Sequence, residues 1–138
     1  MQTESFHWLI RQPALAVVAR VLLTLPFWTN GLMRLWDFEG SAAELAKLGF
    51  VPGAAFNMLI IVSNLLGAGL VIARRWTWLG AGMLGVFTAL TVVLVHRFWA
   101  LQGVDAVRAL HTAQEHLGVI GGLALAVILA AHPLEGRP

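Results

Sequence analysis

Residues 110–122, Leu-His-Thr-Ala-Gln-Glu-His-Leu-Gly-Val-Ile-Gly-Gly, place an acid and two bases inside an apolar part of the chain. On an α-helix His111, Glu115, Gly118 and Gly122 follow spacings of four, three and four, which sets them on one face. An imidazole and a carboxylate one turn apart are suited to proton transfer and, with a ligand from a neighbouring helix, to metal binding. Ionisable groups at the centre of a membrane helix cost roughly 2.5–3.5 kcal/mol each, so they normally face a bundle interior, a partner or water. The other residues with chemical potential in apolar surroundings are Asn30, Arg34, Asn57, His96, Arg97 and His116, with Arg20 and Asn64 as secondary or structural positions.

The elements that position them are membrane spans. The chain has 138 residues, 59% hydrophobic and 12% charged, with a mean hydropathy of +0.79, too apolar for a soluble domain of this size. Its net charge of +2 is spread along the chain and forms no basic cluster, which argues against a nucleic-acid role. With no cysteine, thiolate metal ligands and thiol–disulfide exchange are excluded, so redox chemistry would need a bound cofactor or a partner. Residues 1–13 lack the basic start of a signal peptide. Arg20 interrupts the apolar run that follows, and that run is long enough to span, so we expect a retained segment, with Phe6, His7, Trp8 and Leu9 at the interface.

The fold expected is all-α: a single integral-membrane four-helix bundle over residues 1–138, with spans at about 14–36, 54–73, 77–97 and 109–131. Pro26 should kink the first span, because it lacks an N–H and clashes with the carbonyl of Leu22. The freed backbone groups then need other partners. Between spans one and two, Ser41 to Glu44 fits a capping box and Gly49 suits the position past a helix end, predicting a short interfacial helix. Pro52 suits the start of span two, where Asn57, Asn64 and Ala68 share a face. Arg74 and Arg75 in a tight turn predict a cytoplasmic location for that turn and for both termini. Asp105 is the expected N-cap of the fourth helix, which His132-Pro133 should end.

Alternating span polarity then brings Asn30, Arg34, Asn57, His96, Arg97, His111, Glu115 and His116 to the non-cytoplasmic end. Arg34 is the partner expected for Glu115, either as a structural salt bridge between spans one and four or as part of a ligand or proton site. Arg34 with Asp37 is the simpler interfacial alternative. Arg20 either snorkels to the cytoplasmic surface or pairs inside the bundle. His96, His111 and Glu115 could suit zinc or iron, but they form no HExxH or ExxH pairing. His96 or His111 could serve as a haem axial ligand. Metal and haem both rank below a quinone as the expected cofactor. Gly67, Gly69, Gly80, Gly82, Gly85, Gly118, Gly121 and Gly122 read as sites of close helix packing.

From about Arg20 to Ala131 the chain resembles the DoxX family of small four-helix bacterial membrane proteins. The residues carrying the resemblance are Arg20, Asn30-Gly31, Arg34, Gly49-Phe-Val-Pro52, Gly67-Ala-Gly69, His96-Arg-Phe98-Trp99 and Gly121-Gly122. It departs from the family at Asn64, where members often carry Glu, and at Glu115-His116, where members often carry Lys-Asn. The resemblance implies a bacterial inner-membrane protein associated with thiosulfate:quinone oxidoreduction or with oxidative-stress complexes. Two functions are therefore expected from the sequence. One is a redox-associated subunit with a polar intramembrane pocket for a quinone or another small molecule. The other is a non-catalytic assembly factor or anchor for membrane partners. A transporter ranks lower, because one four-helix unit leaves little room for a pore. Activity of the chain alone is left open, and the expected partners are the lipid bilayer and a second copy or another membrane protein.

Overall fold

The computed structural model describes residue 8 and residues 12–132, so the interfacial reading of Phe6, His7 and Leu9 and the tail from Pro133 lie outside the described residues. The regular structure of these residues is all helical, without a strand. The elements are α1 (Pro13–Leu23), α2 (Leu25–Trp36), α3 (Phe38–Lys47), α4 (Gly53–Ile72), α5 (Thr77–Leu94), a 3-10 turn (Phe98–Ala100) and α6 (Gly103–Ala131). Gly53–Ile72, Thr77–Ala100 and Gly103–Ala131 are long and apolar enough to cross a membrane. The pair α1 and α2 qualifies as a fourth, broken span, bent by 55°.

The break falls at Thr24, two residues before Pro26, which occupies the first turn of α2. Proline cannot donate to the carbonyl four residues earlier, so the helix opens there. The Thr24 hydroxyl donates to the Arg20 carbonyl at 2.7 Å, and the Trp28 indole N–H donates to the Val21 carbonyl at 3.2 Å. These side chains replace solvent, as an apolar environment demands.

The short helix forms as expected but starts earlier than a Ser41 cap would place it. Asp37 is its N-cap, and its carboxylate accepts from the Gly40 N–H at 3.1 Å. At the other end Gly49 takes a φ of +93°, the Phe50 N–H donates to Leu45 and the Gly49 N–H donates to Ala46. That pair of bonds is a Schellman motif, which requires a left-handed residue and so favours glycine. Gly53 lets α3 lie on α4, since a Cβ there would collide with the Ala42 carbonyl.

Asn57, Ile61, Asn64, Ala68 and Val71 form the buried face of α4, at spacings of four, three, four and three. Its closest partner is α5, where Gly67 and Gly80 bring the backbones together: a Cβ on Gly80 would sit 2.6 Å from the Gly67 carbonyl oxygen. Phe27, Ala68, Val71, Ala81, Leu84 and Leu123 make the core, joined by an edge-on contact of Phe27 with Phe87. Close packing holds at Gly67, Gly80 and Gly122, whereas Gly69, Gly82, Gly85, Gly118 and Gly121 have no heavy atom within 4 Å of a built Cβ.

Helix α6 is rotated from the orientation expected of it. Ala113, His116 and Leu123 turn inward, while His111, Glu115 and Gly118 are exposed. Of the four-residue stripe, Gly122 alone meets the bundle, against Leu23. Its start is also earlier, with Gln102 as N-cap and Asp105 inside the first turn.

Candidate functional site: an arginine cage and a histidine pair

Asn30 and Arg34 are one turn apart on α2 and point the same way. The Arg34 Nε–H donates to Asn30 Oδ1 at 3.2 Å, and Arg34 Nη1 donates to Asn57 Oδ1 at 3.3 Å across to α4. Asn57 is fully buried, and its Nδ2 donates to the Phe38 carbonyl at 3.2 Å, where α3 begins. One amide therefore ties α2, α3 and α4 together. The guanidinium has five N–H donors, of which two are used here. Its partners are neutral oxygens, so its charge is held in position without being cancelled.

The expected carboxylate partners do not meet it. The one ion pair within 4.0 Å among the described residues is Arg108 with Asp105, both exposed near the start of α6. Glu115 faces outward because α6 presents Ala113 and His116 to the bundle, and Asp37 is occupied as the cap of α3.

A second group forms where the end of α5 meets α6. The rings of His96 and His116 lie 5.1 Å apart, edge to face. His116 Nδ1 is 2.8 Å from the Thr112 carbonyl. A carbonyl only accepts, so Nδ1 carries the proton and Nε2 of the neutral ring is left as an acceptor. His96 is placed by backbone bonds to Thr91 that close the end of α5. The eight residues singled out in the sequence are thus divided. Asn30, Arg34 and Asn57 make one group and His96 with His116 another, while Arg97, His111 and Glu115 stand exposed. Among the described residues no three of His, Asp and Glu come together, so the set His96, His111 and Glu115 is not assembled as ligands.

Arg20 is half-buried and close enough to Arg74 for the two charges to repel. Asn64 is fully buried, and neither its Oδ1 nor its Nδ2 has a hydrogen-bond partner among the described residues. Roles that the sequence did not assign are those of Thr24 and Trp28, which satisfy the broken helix, and of Phe38, whose carbonyl anchors Asn57. A threonine and a tryptophan flanking a mid-span proline are a readable signal for the first two. The Phe38 carbonyl has no signal in side-chain identity.

Both polar groups lie at the end of the bundle opposite Arg74 and Arg75, since α4 and α5 run antiparallel from that turn. The family model described as DoxX matches residues 15–97, more than half of the chain. No curated protein and no solved structure matches it. The matched stretch contains Arg20, Asn30, Arg34, Asn57, Asn64 and His96 and stops before α6, so Glu115-His116 and Gly121-Gly122 lie beyond it. With α2 through α5 and most of α1 inside the match, this membrane chain belongs to the DoxX family.

Proposed function

We propose that this DoxX-family membrane protein is a redox-associated subunit that binds the oxygen-bearing head of a quinone, or of a similar small carbonyl compound, beside Arg34 at the non-cytoplasmic face. One observation carries this reading: the Arg34 guanidinium is fixed by Asn30 and Asn57, retains free N–H donors and has no carboxylate in ion-pair range among the described residues. A fixed, uncancelled cation donates to a carbonyl oxygen and stabilises negative charge developing on it. The His96–His116 pair, at the same end, supplies imidazole nitrogens that can donate and accept protons. The chain has no cysteine, so the electrons come from a partner or a reduced substrate.

The test is a titration of the protein in nanodiscs with a short-chain benzoquinone, read by quenching of its six tryptophans. Saturable quenching is expected, with Arg34→Gln weakening affinity by about 10- to 100-fold, the loss of a charge-assisted hydrogen bond. Quenching that does not saturate, or an unchanged affinity in Arg34→Gln, would overturn the proposal. A second reading, an anchor for a partner protein, is favoured by the limited cover on α6, whose apolar window is 11% buried against 33% for α4.

A further inference from the structure

The outer surface of α6 carries polar groups that the fold does not use. His111, Gln114, Glu115, Gly118 and Gly121 are all exposed and share one side of the helix. A helix of 29 residues is about 43 Å long, against a hydrocarbon core of about 30 Å. With Ala131 at one boundary, the other falls near His111, and Glu115 lies about one turn inside. A carboxyl group at that depth facing lipid is costly and calls for a partner. Gly118 and Gly121 follow directly below it with open space where a Cβ would stand, unlike Gly67, Gly80 and Gly122, which are filled by neighbours. Their flat surface admits another helix at close range.

The chemistry of the stripe identifies the occupant. It holds a base, an amide that both donates and accepts, and an acid, so it complements itself. All copies of a membrane protein insert with the same polarity, so two α6 helices related by a two-fold axis along the membrane normal run parallel. Glu115 side chains lean toward the helix N-terminus, closing much of the roughly 6 Å rise to His111 of the second copy. We propose that this face is a two-fold interface with a second copy of the chain, with reciprocal His111–Glu115 contacts above closely packed Gly118 and Gly121. This inference is independent of quinone binding.

The absence of cysteine makes the test direct. Single substitutions Gln114→Cys and Leu125→Cys flank the glycines on the outer face. Met58→Cys on α4 and Val86→Cys on α5 are exposed controls on other faces. Oxidation in native membranes should join the first two into a disulfide dimer and leave the controls monomeric. The unsubstituted protein in nanodiscs should have the mass of a dimer by native mass spectrometry, with Glu115→Ala raising the dissociation constant at least tenfold. Because Glu115 is exposed, this change leaves the core intact, and unchanged helicity by circular dichroism would confirm that. A monomeric mass, equal crosslinking at the controls, or capture of a different protein by the α6 cysteines would overturn the proposal.

Discussion

Asn57 and Asn64 lie two turns apart on α4, both fully buried, in opposite hydrogen-bonding states. Asn57 satisfies two neighbours, so Asn57→Ala removes both bonds and leaves one Arg34 N–H without its acceptor. A loss of about 2–4 kcal/mol is expected, combining two net hydrogen bonds with the cost of an orphaned group, measurable as a lowered denaturation midpoint in detergent. Asn64 has no such bonds, and a buried amide without partners costs about 1–3 kcal/mol. Asn64→Leu is therefore expected to raise stability by a similar amount. A fall instead would show that a water or ligand satisfies the amide. The inward face of α4 was legible because polar residues are rare on that helix and mark a side. The same rule misplaced α6, where small and apolar residues such as Ala113 and Leu123 pack inward and His111 and Glu115 turn out. Polarity marks a special face without saying whether its partner belongs to the same chain.

At the scale of elements, proline and glycine carried most of what the sequence could say. Pro26 marked a break whose sharpness depends on Thr24 and Trp28 donating to the exposed backbone carbonyls, a pairing set by tertiary geometry. Trp28→Phe keeps the ring and removes the indole N–H, so the Val21 carbonyl loses a partner where water is scarce. A cost of about 1–2 kcal/mol is expected, and a midpoint unchanged from the parent would argue that the carbonyl finds another donor. Glycines divide by what surrounds them, which spacing alone cannot reveal. Gly80→Ala would push a methyl into the Gly67 carbonyl and separate α4 from α5, whereas Gly82→Ala enters open space. The first should destabilise by about 1–3 kcal/mol, as overpacking does, and the second should leave the unfolding midpoint within about 0.5 kcal/mol of the parent. Equal effects would contradict the close α4–α5 contact.

On the scale of the whole molecule, the two ends differ in chemistry. One end presents the exposed Arg74 and Arg75. The other holds the Arg34 cage, the His96–His116 pair and the short helix α3. Antiparallel connection of short-looped helices made this separation readable from span order, but the separation of the arginine cage from the histidine pair was not. It depends on α2 packing against α4 while α5 packs against α6, and hydropathy does not encode pairwise neighbours. Membrane insertion retains short basic loops in the cytoplasm, so our proposal that the Arg74–Arg75 turn is cytoplasmic puts the cage on the far side. Ala73→Cys and Gln102→Cys, exposed positions at opposite ends, test this in the cysteine-free chain. An impermeant maleimide added to cells with a permeabilised outer envelope should label Gln102→Cys and reach Ala73→Cys only after membrane lysis. The reverse pattern would turn the Arg34 cage to the cytoplasm, and any proton exchanged by His96 and His116 would then be drawn from that side.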